Sequence, residues 1–270
     1  MADQKPDRIR EFVRERYGNI ARTATSCCGP SPTSSCCGPS SPFHDNASEQ
    51  MGYSKEQLDT LPEGADLGLG CGNPHTFSRM RPGETVLDLG SGGGIDCFLA
   101  AKAVGDTGRV IGVDMTADMV SKARENAEKM GAANVEFRLG EIEHLPVADN
   151  SIDVILSNCV INLSPNKLQV FRDALRVLKP GGRLAISDMV ALQAMPEEMR
   201  RDVGLLTGCV AGAAEVERIQ EMLAEAGFED IRVAVEKKSG EVIAEWFPGK
   251  KIEDYVASAR IEAVKPRPAE

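Results

Sequence analysis

The segment T-V-L-D-L-G-S-G-G-G-I-D-C-F-L-A-A-K-A-V, Thr85 to Val104, constrains the fold more than any other stretch of the 270-residue chain. A short apolar run passes directly into glycines, and the glycines pass into an apolar helical stretch. Without a Cβ, Gly90, Gly92 and Gly94 let the backbone turn sharply and approach a ligand closely. R-V-I-G-V-D then reads as a second strand ending at Asp114, 20 residues beyond Gly94. A carboxylate there accepts both hydrogen bonds of a ribose diol. Strand, glycine turn, helix and strand in that order predict a parallel sheet with a nucleotide-bearing ligand over its C-terminal edge.

Past Asp114 the two periods keep alternating. A-D-M-V-S-K-A-R-E-N-A-E-K-M is amphipathic, with Met119, Ala123, Ala127 and Met130 near one face. V-E-F-R-L and I-D-V-I-L-S predict a third and a fourth strand. K-L-Q-V-F-R-D-A-L-R-V-L predicts a helix closed by K-P-G-G, and R-L-A-I-S-D-M-V a fifth strand. The alternation predicts an α/β fold with helices on both faces of the sheet. Met195 to Gly212 breaks the rhythm with small residues, after which E-V-E-R-I-Q-E-M-L-A-E-A predicts a helix ending at Gly227. I-R-V-A-V-E and E-V-I-A-E-W-F predict two late strands forming an antiparallel edge, and the tail from Ala263 is expected to fray.

Upstream of the first strand the pattern differs. I-R-E-F-V-R-E-R-Y predicts a short helix carrying Ile9, Phe12, Val13 and Tyr17. S-C-C-G-P-S occurs twice, at Ser26 to Ser31 and Ser35 to Ser40, punctuated too often by Pro and Gly for regular structure. A flexible, thiol-rich arm is expected there, with Cys27, Cys28, Cys36 and Cys37 as its thiols. Tyr53 to Leu61 predicts a short helix stopped by Pro62, followed by the loop G-A-D-L-G-L-G-C-G-N-P. The chain thus divides into an arm over 1–50, a cofactor-binding domain with a substrate loop over 51–193, and a substrate-binding region with the late strands over 194–270.

The chemistry of the glycine loop selects among nucleotide cofactors. A dinucleotide loop carries glycine at the sixth position of G-x-G-x-x-G, where this chain has Ile95. Asp88 adds a negative charge beside the loop, which opposes a pyrophosphate and suits an ammonium and a sulfonium. S-adenosylmethionine carries both cations and is the expected cofactor. Glu141 or Glu143 can accept from the adenine amino group while Ile142 covers the ring, and Met115 can pack on the ribose side. Asn158 either positions the methionine end of the cofactor or braces a loop.

Three cysteines lie far apart, each beside small or turn-forming residues: Cys71 in G-L-G-C-G-N-P, Cys159 in S-N-C-V-I-N-L and Cys209 in T-G-C-V-A-G-A. Cys159 follows the fourth strand at the edge where ligands bind. Cys71 and Cys209 lie in separate loops that can fold over the same crevice. The paired spacing of a zinc site is missing among the three. A trivalent, pyramidal soft ion such as arsenic(III) matches three thiolates. Cys97 sits among Ile95, Phe98 and Leu99 and reads as core, while His44, His75 and His144 show no ligand spacing.

From Pro74 to Phe247 the pieces D-L-G-S-G-G-G, V-I-G-V-D, G-E-I-E-H-L-P, N-S-I-D-V-I-L-S-N and L-K-P-G-G-R-L resemble the class I, seven-stranded S-adenosylmethionine-dependent methyltransferases. That resemblance implies a Rossmann-like sheet of seven strands with helices on both faces. The ubiquinone/menaquinone C-methyltransferases are similar over the same stretch. From Tyr53 onward the chain closely resembles the arsenite methyltransferases, with Cys71, Cys159 and Cys209 in the settings of that family's arsenic-binding thiols. The resemblance implies methylation of arsenite to mono- and dimethyl species by attack of the arsenic lone pair on the sulfonium methyl. It also implies an external thiol, glutathione or thioredoxin, that delivers substrate and restores reduced cysteines. The family's further upstream cysteine corresponds to one of Cys27, Cys28, Cys36 and Cys37, which the sequence does not distinguish.

A formal charge of −10 argues against general nucleic-acid binding, and no apolar run is long enough to cross a bilayer. The opening M-A-D-Q-K-P-D-R leads into more charge instead of a signal peptide's apolar segment. A cytoplasmic monomer that binds neither nucleic acid nor membrane is expected, its thiols kept reduced. Two rival functions remain: a small-molecule C- or O-methyltransferase with buried cysteines, and a thiol-rich sequestration protein that retains the fold. The intact Asp88, glycine loop and Asp114 argue against the second, since sequestration needs no cofactor site.

Overall fold

The computed structural model describes residues 6–23, 47–236, 238–246 and 251–268. The doubled S-C-C-G-P-S segment with its four cysteines, His44 and Phe247 lie outside the described residues. Among the described residues no helix is long and apolar enough to cross a membrane.

Helix α1, Pro6–Thr23, extends the short helix expected around Ile9 to Tyr17. Three one-turn helices follow: α2 (Ala47–Gln50), α3 (Lys55–Leu58) and α4 (His75–Ser78). Ser54 and Gln57 form a reciprocal capping box at the start of α3, which fixes where that turn begins. The alternating body then runs β1 (Thr85–Leu89), α5 (Ile95–Val104), β2 (Arg109–Asp114), α6 (Ala117–Met130), β3 (Val135–Leu139) and β4 (Ile152–Asn158). It continues through α7 (Lys167–Val177) and β5 (Leu178–Ala191). Two short helices, α8 (Glu197–Arg201) and α9 (Val203–Thr207), occupy the stretch that breaks the rhythm. The two-residue β6 (Ala214–Glu215), α10 (Val216–Ala226), β7 (Glu229–Val235), α11 (Ser239–Trp246) and β8 (Val256–Val264) complete the chain.

The strands form one sheet in the order β3-β2-β1-β4-β5-β8-β7, with β6 paired to β5 off that path. The five strands from β3 to β5 are parallel, and β8 runs antiparallel between β5 and β7. Alternate side chains enter separate cores because strand period is two. Leu87, Ile155, Leu184 and Ile186 join Phe171 of α7 and Leu223 of α10 on one side. Val86, Val154, Leu156 and Ala185 join Phe98 of α5 and Val120 of α6 on the other. Phe98 meets Phe137 edge to face at 5.8 Å, a geometry worth about 1 kcal/mol beyond the area both rings bury.

Two expectations for the C-terminal third are corrected. E-V-I-A-E-W-F is not a strand: residues 239–246 are helical, and the edge partner of β7 is β8. V-A-S-A-R-I-E-A-V carries few branched or aromatic residues, so it gives a weak strand signal, yet it pairs on both sides. The tail does not fray at Ala263 either. β8 runs to Val264, and Lys265 Nζ donates to the carbonyls of Leu175 and Leu178 at 2.7 Å each.

Candidate active site

The sheet order reverses between β1 and β4, and a crevice opens there beyond the C-terminal ends of the strands. One cavity at this point is lined by Asp88, Gly90, Ser91, Gly92, Asp114, Met115, Ile142, Glu143, Asn158 and Cys159. Two of the expected cofactor residues are elsewhere. Gly94 is the N-cap of α5, and Glu141 pairs with Arg10 and Arg14 at 3.3 and 2.5 Å.

Asp114 is held by the loop it serves. Its carboxylate accepts from the Gly92 N–H at 3.0 Å and the Thr116 N–H at 2.8 Å, while burial raises its pKa. Asp88 is buried and accepts from the Cys97 thiol at 3.3 Å, so Cys97 is core, as its neighbours imply. Desolvation, then the nearby Asp96, pushes the Asp88 carboxyl well above its ordinary value. A bound cation would reverse both effects by stabilising the ionised form. Ser91 Oγ is buried without a hydrogen-bond partner among the described residues, although it faces the cavity. An orphaned hydroxyl there, with two desolvated carboxylates, fits a polar and cationic ligand such as S-adenosylmethionine.

Helix α1 closes one side of this cavity with Arg10, Val13 and Tyr17. Arg10 reaches Glu143 at 3.0 Å, and Ser164 Oγ donates to the same carboxylate oxygen at 2.8 Å. Both acidic residues expected beside the adenine are therefore engaged by guanidinium groups 127 to 133 residues away in sequence. Tyr17 is buried beside the thiols, and burial followed by Cys209 and Cys159 raises its pKa well above the ordinary phenol value.

The Cys71 loop lies against β4 and β5 because glycine flanks it. A Cβ on Gly70 would stand 2.6 Å from Asn158 Nδ2, and one on Gly72 would stand 2.1 Å from Ser187 Oγ. Asn158 then braces the loop: Oδ1 accepts from the Cys71 N–H at 2.9 Å, and Nδ2 donates to the Gly72 carbonyl at 2.7 Å. The same amide donates to Tyr53 Oη at 2.9 Å, and Tyr53 donates to Asp96 at 2.7 Å, where His75 Nε2 also contacts at 2.9 Å. A continuous polar chain thus joins helix α5 behind the cofactor loop to the backbone of Cys71.

Cys71 and Cys159 are buried with their sulfurs and one Asp188 carboxylate oxygen within 4.8 Å of one another. Cys209 is also buried in this cluster, but its thiol is turned to donate to the Cys159 carbonyl oxygen. Cys159 and Cys209 both have left-handed backbone, with φ of 60° and 62°. Non-glycine residues occupy that region at a cost of about 1 kcal/mol or more, and such outliers gather at functional sites. Burial raises the Cys71 and Cys159 thiol pKa values, Cys71 to about 11, and contact with the Cys159 thiol, then burial, raises that of Cys209, so the thiols are neutral at pH 7. All four described cysteines are free.

Sequence reasoning did not single out Asp188, Tyr53, Asp96 or Lys167. Asp188 sits inside β5, where its carboxylate accepts from Asn162 Nδ2 and from the N–H groups of Ile161 and Met189. It pins the turn that carries Cys159, and burial raises its pKa to about 6. Lys167 lies buried nearby, lowered to about 8 by desolvation. One signal was available for Asp188: a carboxylate within the otherwise apolar R-L-A-I-S-D-M-V.

Residues 80–227 match the methyltransferase domain family. The chain is 53% identical to the arsenite methyltransferase of Halobacterium salinarum over 98% of its own length and 69% of that protein's. It is 39% identical to the arsenite methyltransferase of Aquipseudomonas alcaligenes over 83% of its length, spanning 63% of that relative. Among solved structures it is similar to an arsenic(III) S-adenosylmethionine methyltransferase from Chlamydomonas reinhardtii. The TM-score is 0.62 at 31% identity, covering 83% of this chain and 75% of that one.

Proposed function

The chain belongs to the arsenite methyltransferases, within the class I S-adenosylmethionine-dependent family, and we propose that it methylates trivalent arsenic held by Cys71, Cys159 and Cys209. The observation that carries this reading is the buried Cys71–Cys159 sulfur pair, with Cys159 forming part of the cofactor cavity wall.

The raised thiol pKa values support the reading. Arsenous acid is neutral, and exchange of its three hydroxyls for three S–H groups releases three waters and leaves an uncharged arsenic–sulfur cluster. No charge need be buried at a site that has little water to solvate one. Cys71 and Cys159 are near enough to share one arsenic, and rotation of the Cys209 thiol off the Cys159 carbonyl would supply the third ligand. The cofactor supplies the methyl group as an electrophilic carbon on sulfur. Asp114 would hold its ribose diol, Asp88 and Ser91 its amino-acid end, and Met115 and Ile142 its adenosine. Asn158 fixes Cys71, Asp188 fixes the Cys159 turn, and α1 keeps water out. Alignment of lone pair and methyl at about 3–3.5 Å provides much of the rate. Each transfer raises arsenic by two oxidation units, so two thiols must then give up two electrons, and glutathione or thioredoxin would restore them. A reducing compartment such as the cytoplasm suits that cycle.

The test is a product assay with arsenite, labelled S-adenosylmethionine and a thiol reductant, with a quinol precursor as the competing acceptor. Mono- and dimethylarsenic species are expected, with the dimethyl form accumulating because only one arsenic position is then left for a thiol. Label in the quinol and none in arsenic would replace this reading with the small-molecule one.

A further inference from the structure

The ligand atoms gathered at the thiol pair are two sulfurs and one oxygen. Cys71 Sγ, Cys159 Sγ and one Asp188 carboxylate oxygen lie within 4.8 Å of one another, and all three residues are buried. Cys209 stands outside that group, with its thiol donating to the Cys159 carbonyl. Arsenic(III) held by three sulfurs gives the carboxylate no part as a ligand. Two thiolates and a carboxylate are instead a donor set for zinc(II) and similar divalent cations. The fold, and not a local spacing, assembles the set: Cys71 stands in a loop, Cys159 follows β4 and Asp188 lies inside β5.

Zinc–sulfur bonds of about 2.3 Å set tetrahedral sulfurs about 3.8 Å apart, so closing the group takes at most about 1 Å of side-chain movement. The carboxylate is held from behind. Asn162 Nδ2 and the Met189 N–H donate to Oδ1, and the Ile161 N–H donates to Oδ2. Such outer partners orient a metal ligand. Charge balances as well. Two thiolates and a carboxylate exceed the ion by one negative charge, and Lys167, buried and drawn to Asp188, cancels it. Burial tolerates a neutral cluster. The fourth position is open to water from the crevice that Cys159 lines and from a second cavity that Cys71 lines.

We propose that Cys71, Cys159 and Asp188 form a resting site for a zinc-class divalent cation, which arsenic(III) displaces; the displacement, though not the site, rests on the arsenic-methylating reading above. On binding, two S–H bonds break, two zinc–sulfur bonds form and two protons leave to solvent, with no change of oxidation state. Arsenic recruits Cys209 as a third sulfur and releases Asp188, so the two occupants share two ligands and differ in the third.

The test uses the full chain with Cys27, Cys28, Cys36 and Cys37 as serine, zinc chloride as the probe and a phosphine reductant. One zinc per chain should bind with a dissociation constant below about 1 μM, read by competition with a chromophoric chelator. X-ray absorption at the zinc edge should show two sulfurs, with oxygen filling the remaining positions. Cys71→Ser and Cys159→Ser should each weaken binding about a hundredfold. Cys209→Ser should leave both the affinity and the two-sulfur shell as they are. Asp188→Cys should raise the sulfur count to three, a gain that a purely structural role for Asp188 does not produce; S-adenosylmethionine affinity reports that the variant is folded. Weaker zinc binding in the wild type, a count of two in folded Asp188→Cys, or three sulfurs falling to two in Cys209→Ser would overturn the site. The Cys209→Ser shell decides the case in which Asp188→Cys does not fold. Arsenite added to the zinc-loaded chain, without cofactor, should release one zinc per arsenic bound, and about tenfold less readily in Cys209→Ser. Zinc that binds as predicted yet stays through excess arsenite would overturn the displacement, and with it the arsenic reading of these thiols.

Discussion

Asn158→Ala should weaken arsenic binding about 30-fold while weakening cofactor binding far less. The amide makes three hydrogen bonds, to the Cys71 N–H, the Gly72 carbonyl and Tyr53 Oη, at 2.9, 2.7 and 2.9 Å. Two of these hold the backbone on which the Cys71 thiol is mounted. Each is worth about 1 kcal/mol net, and a partner left unsatisfied adds about 1–3 kcal/mol. Water from the adjoining cavities can reach the loop, so the lower end, about 2 kcal/mol, is the working figure. At 1.4 kcal/mol per decade that is about 30-fold in the affinity of a site that needs Cys71 docked against Cys159. Asn158→Asp keeps one acceptor but sets a carboxylate oxygen against the Gly72 carbonyl, so its loss should be at least as large. Tyr53→Phe keeps both bonds to the Cys71 loop and removes the one to Asn158 together with the Tyr53–Asp96 bond behind it, and should cost about fivefold in arsenic affinity. The assay is titration of each variant with arsenite under reducing conditions, with S-adenosylmethionine titrated in parallel. Wild-type arsenic affinity in Asn158→Ala would refute the reasoning. An equal loss for both ligands would refute it too, since Asn158 would then act on the cofactor.

Three further outcomes follow from the same geometry. Cys71→Ser should lose activity on arsenite yet keep it on trivalent monomethylarsenic, whose two remaining positions Cys159 and Cys209 can fill; equal loss on both substrates, in a variant that still binds cofactor, would overturn that division. S-adenosylmethionine affinity should fall as pH drops through the free-protein pKa values of Asp88 and Asp114, because the cation binds the ionised carboxylates. Both values lie above the ordinary 3.8, so an affinity that stays flat down to that pH would contradict the assignment. Gly70→Ala places a Cβ 2.6 Å from an amide fixed by three hydrogen bonds, and should displace the Cys71 loop at about 1–3 kcal/mol, read as lost arsenic affinity without lost S-adenosylmethionine affinity.

The parallel half of the fold was legible because its strands and helices carry opposite periods. Thr85 to Ala191 folds with each expected strand and helix in its expected order. The C-terminal third was less legible for opposite reasons at two places. Val242, Ile243 and Trp246 are common strand residues set in a helix, whereas β8 uses Ala257, Ser258 and Ala259, small residues that let it pack between two strands. At the site, Asp88, Asp114, Asn158 and Cys159 stand at or beside strand ends, where topology places ligands, so sequence order located them. The Arg10–Glu143 pair and the Tyr53–Asp96–His75 cluster depend on contacts between distant segments, and no spacing in the chain announces them. Glycines flanking Cys71 signalled a loop, but only packing against Asn158 and Ser187 explains why they are glycines.

X-ray absorption at the arsenic edge of arsenite-loaded protein tests the three-thiol claim most directly. The chain for it carries Cys27, Cys28, Cys36 and Cys37 as serine, so that the remaining cysteines are Cys71, Cys97, Cys159 and Cys209. Three sulfur neighbours and no oxygen are predicted, falling to two sulfurs with one oxygen in each of Cys71→Ser, Cys159→Ser and Cys209→Ser, and unchanged in Cys97→Ser. Three sulfurs surviving any of the first three substitutions would contradict the account.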